Sequence, residues 1–206
     1  MGNEVSPLVT IRVASEEDME AIRRCRYDVY SKEGFIDPSD FPDGQEFDQF
    51  DESSVHVIAQ VGDSHEAAGT TRIILGKYSN LPVQYEPHLV SVPKIEKAGE
   101  ISRLCVRDSH RDGKISIGLY RVLFHVIEQR GVEVIYVIVD NEFFETLCWL
   151  GFPFEKIGEP KDYMGYTIPA KCVIGEVLPS LQSNETAKKL GVTALFEQQF
   201  NGKIVI

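Results

Sequence analysis

Hydrophobic and polar positions follow two different periods along the chain, and these periods predict a mixed succession of strands and helices. Alternating or continuous apolar runs predict strands at Leu8–Val13, Ser54–Val61, Ala67–Leu75, Ala98–Arg107, Val132–Val139, Pro153–Gly158 and within Tyr163–Val177. Helical spacing predicts helices at Glu16–Tyr30, Ile115–Gln129, Glu142–Leu150 and Asn184–Gln199. A strand, a helix and a strand joined by a crossover of this length are typical of an α/β unit.

The segments between these elements are rich in Gly, Pro and Asp. Residues 33–49 form a long loop that runs into an acidic and aromatic cluster at Glu46–Asp51. Residue types alone leave two interpretations open for this cluster, a cation-binding surface and a solubilising loop. Lys77–Lys97 contains three prolines and is expected to be an extended excursion with room for one short helix. No repeat or linker appears, so we expect a single domain over 1–206, with a core at about 8–177 and a C-terminal helix at about 184–199.

The strand Ala98–Arg107 carries two charges, Glu100 and Arg103. Residues three apart lie on opposite faces of a strand unless a bulge resets the alternation. Burying such charges without partners is costly. The strand is therefore either a surface strand with incidental charges or a functional strand with a bulge near Arg103–Val106. Arg72 also interrupts a predicted strand, and its residue type favours an edge or exposed position.

Composition narrows the possible functions. The net charge of −11 over 206 residues argues against nucleic acid as a partner, because phosphate binding needs clustered Lys and Arg. Four scattered cysteines are expected to be free thiols, and five dispersed histidines give no metal-ligand spacing. The chain has no Walker loop and no nucleophile elbow. Without a long apolar run, we expect a soluble, cytoplasmic protein with no integral membrane segment.

The order of elements, with Asn141 followed by Leu150-Gly151-Phe152, resembles the GNAT acyltransferase fold. The resemblance implies an α/β (α+β) three-layer α/β/α architecture with a mixed, mostly antiparallel central sheet. In that family the sheet splays between strands 4 and 5, and the pantetheine arm of the acyl donor enters the gap. Two features depart from the common pattern. Residues 111–118 lack the clustered glycines of the usual pyrophosphate loop, and Leu147 stands where a general-acid tyrosine is frequent.

These departures fit one branch of the family. Four motifs resemble the autoinducer (acyl-homoserine-lactone) synthases: Arg26-x-x-x-Tyr30, Glu46–Asp51, Arg72 and Glu100-x-Ser102-Arg103. Thr71–Leu75 followed by Leu81-Pro82-Val83 is more similar to the long-chain N-acyl amino acid synthases and the exosortase-associated acyltransferases. The tryptophan that usually follows the Tyr30 position in the homoserine-lactone enzymes is missing, which argues against homoserine lactone as the product.

The resemblance implies an N-acyltransferase that moves a long-chain fatty acyl group to the amine of an amino acid or related small molecule. The donor would be an acyl-carrier-protein or CoA thioester, so acyl-phosphopantetheine is a co-substrate and acyl carrier protein a partner. No tightly bound cofactor and no metal are expected. A conventional acetyl-CoA-dependent N-acetyltransferase and a non-catalytic GNAT-like binding domain stay open as alternatives. Acyl chain length, the acceptor, the carrier, the oligomeric state and the pathway are left undefined.

The same resemblance implies roles for particular residues in catalysis. Glu100 would remove a proton from the attacking amine. Main-chain N–H groups at a bulge around Leu104–Val106 would stabilise the oxyanion. The chain around Cys105 and Val106 would also bind the donor.

Other residues would brace the acceptor loop or dock the donor. Arg72 and Arg103 would hold the acidic loop through Asp48 and Asp51, while Arg26, with Tyr30, would fix the first helix against it. Arg107, Arg111 and Lys114 form a candidate basic patch for the pantetheine phosphate or an acidic carrier protein, with a solvated turn as the alternative. Arg23 and Arg24 are expected on a solvated helix face.

Overall fold

The structure, a computed structural model, describes residues 8–64, 66–77, 80–84, 97–162 and 165–206. Its residues group into two compact units, each built from separate chain segments. The first unit comprises Met1–Arg72, Arg103–Leu123 and Phe200–Ile206, and the second comprises Ile73–Ser102 and Phe124–Gln199. The single domain expected from the sequence stays a prediction. Within the described ranges, the helices are too short or too polar to cross a membrane.

The first unit contains three whole strands, β1 (Val9–Val13), β2 (Ser54–Val61) and β9 (Lys203–Val205). It also contains parts of β3 (Ala67–Gly76) and β4 (Ala98–Val106). The strands lie in the order β4-β3-β2-β1-β9. Strand β1 pairs antiparallel with both β2 and β9. Helix α1 spans Met19–Glu33 and is capped by Gly34, whose φ of 76° suits a glycine at a helix C-terminus. Helix α2 spans Lys114–Gln129 and begins in this unit.

One face of α1 supplies much of the core of this unit. Its buried Ile22, Cys25 and Val29 belong to one cluster with Ile58 of β2 and Cys105 of β4. These α1 positions recur every three or four residues, which is the spacing of one helix face. The packing therefore sets α1 beside β4, which carries predicted site residues, and Arg26 of the same helix reaches the acidic loop.

In the second unit, β5 (Val134–Asp140) pairs antiparallel along its whole length with β8 (Tyr166–Val173). Strand β8 also pairs antiparallel with the short strands β6 (Glu155–Lys156) and β7 (Lys161–Asp162). Strand β4 pairs parallel with β5, and their register covers only Ala98–Glu100 against Val134–Tyr136. The mixed, mostly antiparallel sheet is thus confirmed, and the pairing of strands 4 and 5 ends after Glu100 as the predicted splay requires.

The helices after β5 differ partly from the prediction. Helix α3 (Asn141–Trp149) agrees with it, but β8 ends at Val173 and is followed by helix α4 (Ile174–Ser183), where a strand was expected as far as Val177. The single helix at 184–199 is wrong: the structure has α5 (Glu185–Lys189) and α6 (Val192–Glu197).

Local capping explains this division. The Asn184 side chain accepts a hydrogen bond from the Ala187 N–H and starts α5, which separates it from α4. Gly191, with a φ of 77°, breaks the chain between α5 and α6 because helix residues need a negative φ. Strand β9, which follows, was not predicted, since its three residues are too few to show a period. The excursion predicted at Lys77–Lys97 contains a 3-10 turn at Pro82–Gln84, and most of the rest lies outside the described residues.

Candidate active site

A kink in β4 lies at one of its two charged residues. Arg103 has a φ of 55° and, in the part of the chain that the structure describes, is the only non-glycine residue with a positive φ. Such a conformation inside a strand is typical of a bulge and persists only where the surrounding contacts hold it. The predicted kink near Arg103–Val106 is therefore confirmed. It breaks the simple alternation that would otherwise fix the relative directions of Glu100 and Arg103.

Close packing of β3 against β4 supports this kinked segment. A Cβ atom built at Gly69 would lie 2.9 Å from the main-chain oxygen of Cys105 and 3.1 Å from Cγ2 of Val106. The first distance is shorter than carbon and oxygen atoms tolerate, and a main-chain atom cannot rotate away. Glycine at this position therefore lets β3 approach the segment that the sequence assigns to oxyanion and donor binding.

We expect Gly69→Ala to destabilise the protein by about 1–3 kcal/mol, the usual cost of inserting a group into a filled core. The added methyl group would displace the main-chain carbonyl of Cys105, which lies in the segment predicted to bind the oxyanion and the donor. The rate of acyl transfer by the folded fraction should therefore decrease as well. Urea denaturation and steady-state rates would measure both effects. Gly175→Ala is a matched control, because a Cβ atom there meets nothing within 4 Å. Wild-type stability of the Gly69 variant would contradict the close approach.

Buried ion pairs join the acidic loop to three arginines, and Asp51 is at their centre. Its Oδ1 accepts hydrogen bonds from Nη1 of Arg26 at 2.9 Å and from Nη1 of Arg72 at 2.6 Å. Its Oδ2 accepts from Nη2 of Arg26 at 2.5 Å. The side chains of both arginines are 1% exposed. The edge or exposed position expected for Arg72 is therefore wrong, because this arginine enters the interior to meet the loop.

Asp48 and Glu46 complete the ion-pair cluster. The Asp48 carboxylate accepts hydrogen bonds from Nη1 and Nη2 of Arg72 at 2.6 and 2.7 Å, and from Nη2 of Arg103 at 2.8 Å. Oε1 of Glu46 accepts from Nε of Arg103 at 3.0 Å, and the main-chain oxygen of Glu46 accepts from Arg26 at 2.9 Å. Arginines from α1, β3 and β4 thus contact one loop, as the predicted bracing requires, and the bracing role itself stays a prediction.

Ion pairing shifts the pKa values of four charged groups in this cluster. Burial alone would raise the pKa of Asp48, but hydrogen bonding to Arg72 and the charges of Arg72 and Arg103 outweigh it and lower the pKa to about 2. The pKa of Asp51 is lowered in the same way, against burial, by Arg26 and Arg72. Burial lowers the pKa of Arg26 and Arg103, yet their carboxylate partners raise it overall. The lowered pKa values of Asp48 and Asp51 keep these two carboxylates ionised at neutral pH.

One side chain of the cluster and one beside it were assigned no role from the sequence. Glu46 was noted only as part of the acidic segment, although its side chain is buried and bonded to Arg103. His56 of β2 is buried, and its Nε2 donates to the main-chain oxygen of Asp51 at 3.0 Å. Burial lowers the pKa of His56, so the imidazole is neutral. An apolar strand pattern hides such a histidine, because nothing in its spacing points to the loop.

Tyr30 of α1 lies against the same cluster. The guanidinium carbon of Arg103 lies 6.0 Å from the centre of the Tyr30 ring, at the outer limit of a cation–π contact. Burial raises the pKa of Tyr30 well above its ordinary value, so the phenol stays protonated. The residue therefore packs against the arginine that carries the β4 kink, and its predicted role as a structural partner of the loop fits this position.

Glu100 lies in the second unit and is buried. Its Oε2 accepts a hydrogen bond from the main-chain N–H of Val83 at 2.6 Å. Val83 closes the Leu81-Pro82-Val83 motif, and both Leu81 and Val83 are buried. The short motif that follows β3 thus fixes the orientation of a buried carboxylate, so the interpretation of β4 as a surface strand with incidental charges is excluded.

The predicted basic patch is already paired with carboxylates. Nη1 of Arg107 lies 2.6 Å from Asp28, Nη2 of Arg111 lies 2.9 Å from Glu33, and Nζ of Lys114 lies 3.6 Å from Asp112. Asp108 also contacts Arg111, at 3.2 Å, and Lys32. These opposite charges leave little net positive potential for an acidic carrier protein. The solvated-turn alternative describes the observed contacts better, and the donor-docking role stays a prediction.

The remaining predicted residues lie on β4 next to the kink. Leu104 is partly buried, while Cys105 and Val106 are buried. The main-chain N–H of Arg107, just beyond the strand, donates to the oxygen of Ala68 at 2.8 Å and anchors the end of the segment. The fold thus gathers the bracing residues in one cluster. The oxyanion and donor roles of this segment stay predictions.

Comparison with known proteins supports the fold and the family. The family model described as N-acyl amino acid synthase FeeM matches residues 21–174, which is more than two thirds of the chain. No curated protein sequence matches the chain significantly.

Three solved structures show the same fold. The CoA-dependent acyl-homoserine lactone synthase BjaI, with SAM and isopentyl-CoA, gives a TM-score of 0.71 at 22% identity, over 89% of this chain and 90% of that one. FeeM, an N-acyl amino acid synthase from uncultured soil microbes, gives 0.65 at 17% identity, over 89% and 99%. The acyl-homoserine lactone synthase LasI gives 0.66 at 14% identity, over 87% and 97%. The predicted GNAT-like fold is therefore confirmed, and the chain belongs to the FeeM family of N-acyl amino acid synthases, which are acyltransferases acting on amines.

Proposed function

We propose that this protein transfers a long-chain fatty acyl group from a phosphopantetheine thioester to the α-amine of an amino acid. The observation that carries the proposal is the buried carboxylate of Glu100. It accepts a hydrogen bond from the main-chain N–H of Val83, the last residue of the Leu81-Pro82-Val83 motif. A buried, oriented carboxylate can take a proton from an amine that water would otherwise keep protonated. The arginine-braced loop supports an enzyme function, because buried charges are costly where they only stabilise a fold.

The proposed reaction is an aminolysis of the thioester. Glu100 removes a proton from the ammonium group of the acceptor, and the free amine attacks the carbonyl carbon. The resulting oxyanion is stabilised by main-chain N–H groups around the kink at Leu104–Val106. The carbon–sulfur bond then breaks, the attacking nitrogen gives up its second proton to the leaving thiolate, and the amide and the free thiol are formed. Holding amine and thioester together supplies much of the rate.

The donor is recognised, in this proposal, mainly through the pantetheine arm that CoA and acyl carrier protein share. The register of β4 with β5 ends at Glu100, so main-chain groups further along β4 can pair with the amides of the arm as an added strand would. The paired state of Arg107, Arg111 and Lys114 gives no strong electrostatic preference for an acidic carrier protein. BjaI is CoA-dependent, which is consistent with this view. A cytoplasmic location remains part of the proposal.

Mass spectrometry of reaction products tests the proposal directly. Purified protein is incubated with a mixture of the proteinogenic amino acids and with short, medium or long acyl groups, each carried on CoA or on acyl carrier protein. We expect N-acyl amino acids, with long chains preferred and both carriers used. Exclusive use of acetyl-CoA would favour a conventional N-acetyltransferase. Absence of products with every donor would favour a binding domain, and either result would overturn the proposal.

A further inference from the structure

Two buried thiols lie side by side in the first unit, and the proposed reaction uses neither of them. Cys25 of α1 and Cys105 of β4 belong to the same core cluster and are 0% and 5% exposed. Their side chains are hydrogen-bonded to each other, and both cysteines are free thiols. The two sulfur atoms are therefore in contact, which is the first requirement for a disulfide.

The surroundings make the two thiols chemically unequal. The hydrogen bond from Cys105 lowers the pKa of the Cys25 thiol, and the charge of Arg107 lowers it further, against the effects of burial and of Asp28. The same hydrogen bond and burial raise the pKa of Cys105 well above its ordinary value. The thiolate is the form of cysteine that reacts with oxidants. Cys25 is therefore the thiol that reacts first, and Cys105 is the second thiol within reach.

A disulfide between these sulfurs acts on the kinked segment of β4. Cys105 is the second residue after Arg103, whose φ of 55° persists only because the surrounding contacts hold it. The main-chain oxygen of Cys105 lies against β3, where Gly69 has no space for a Cβ atom. Disulfide sulfurs are about 2.0 Å apart, closer than the donor and acceptor of a hydrogen bond. The bond therefore draws Cys105 toward α1 and shifts the segment to which the sequence assigns oxyanion and donor binding.

We infer that Cys25 and Cys105 form an oxidation site, at which a small peroxide joins the two sulfurs in a disulfide and thereby slows acyl transfer. The oxidation site is independent of the proposed function, while its effect on turnover rests on that function. Burial of both side chains selects the oxidant, because the oxidation of a thiol depends on access to it. Hydrogen peroxide is nearly as small as water, whereas oxidised glutathione is too large to reach either sulfur.

The reaction balances with one molecule of hydrogen peroxide. The Cys25 thiolate attacks a peroxide oxygen, the O–O bond breaks, and the released hydroxide takes up the proton that the Cys25 thiol lost. Cys25 then carries a sulfenic acid. The Cys105 sulfur attacks the Cys25 sulfur, the S–O bond breaks, and a second water leaves with the Cys105 proton. The two thiols together lose two electrons, and the peroxide is reduced to two molecules of water.

Oxidation of the whole purified protein tests the inference. The reduced protein is treated with hydrogen peroxide, catalase removes the excess, free thiols are alkylated, and peptide mass spectrometry locates any disulfide. We expect a peptide pair joined through Cys25 and Cys105. The rate of acyl transfer should be roughly 10- to 100-fold lower, on the scale of an active-site displacement of about 1 Å. Prolonged treatment with dithiothreitol should restore the rate, and oxidised glutathione should produce neither change.

Variants of Cys25 show whether the sensitivity to peroxide comes from this pair. Cys25→Ser keeps the shape of the side chain and an acceptor for the Cys105 S–H, and Cys25→Ala is the second variant if the hydroxyl destabilises the core. Thermal unfolding identifies a folding defect, and each folded variant should keep its own rate after peroxide. Cys148→Ser is the matched control, because Cys148 is less buried but burial raises its pKa. This control should lose activity on oxidation as the wild-type protein does.

The outcomes separate the inference from the proposed function. A disulfide between Cys148 and Cys172, reaction of Cys148 alone, or unreacted thiols throughout would overturn the oxidation site. A disulfide between Cys25 and Cys105 with unchanged turnover would overturn its effect on catalysis and leave the proposed function standing. Reduced protein that acylates no acceptor would overturn the proposed function, and the mass spectrum would still decide whether the two sulfurs join.

Discussion

Glu100→Gln is expected to lower the rate of acyl transfer by roughly two or more orders of magnitude, the scale of general-base catalysis, while the protein still folds. Glutamine has the same shape, and its amide oxygen can still accept the N–H of Val83, now 2.6 Å from Oε2 of Glu100. The change removes proton acceptance and keeps the packing. Single-turnover rates with saturating donor and acceptor measure the chemical step.

The pH dependence distinguishes a base from a binding residue. At higher pH more of the acceptor amine is already deprotonated in water, so the deficit of the Gln variant should shrink as pH rises. A deficit that stays constant with pH and appears only in KM would show that Glu100 binds substrate instead. Glu133→Gln is the matched control, because Glu133 lies in the same unit, is exposed and forms an exposed ion pair with Lys97 at 3.6 Å. Near-wild-type turnover of the Glu100 variant would remove it from the base role.

The sequence was sufficient for the parts of the site that rest on local pattern and motif. Two charges three apart in an apolar strand would need a kink to serve one site, and Arg103 carries a kink. The resemblance to the autoinducer synthases implied that arginines from α1, β3 and β4 would meet the acidic loop, and they do. The period of the hydrophobic positions located β1 to β5 and α1 to α3 within a few residues. These element positions depend on residue type and spacing along the chain, which the sequence records directly.

The features that the sequence did not reveal depend on contacts between distant segments. By residue type alone Arg72 looked like an edge or exposed residue, because its neighbours in the chain do not show that Asp48 and Asp51 neutralise it. The apparent basic patch loses its net charge through Asp28 and Glu33, which lie far away in sequence on α1. At the C-terminal end, the caps at Asn184 and Gly191 outweigh the amphipathic pattern that suggested one helix. In each case an interaction between particular residues determines the burial, the net charge or the helix boundary, which the hydrophobic pattern leaves ambiguous.

Asp51→Asn is expected to destabilise the protein by about 3–5 kcal/mol, the cost of breaking a buried ion pair by removing one partner. Asparagine keeps one acceptor oxygen but places an N–H₂ group against an arginine, so two donors face each other. The negative charge that Asp51 places between Arg26 and Arg72, whose side chains are each 1% exposed, is then lost. The lowered pKa of Asp51 means that the carboxylate is ionised at neutral pH, so the whole charge is lost. Urea denaturation at constant salt gives the change in unfolding free energy.

Two comparisons show whether the loss comes from uncompensated buried charge. Asp28→Asn breaks a half-exposed pair with Arg107 at 2.6 Å and should cost no more than about 1 kcal/mol. Arg26→Met combined with Asp51→Asn removes one of the stranded cations, so the double variant should lose clearly less than the sum of the two single losses. Additive losses, or a small loss for Asp51→Asn alone, would mean that water enters and solvates the arginines. The loop would then be held by packing of its aromatic residues, and the bracing role of the ion pairs would be wrong.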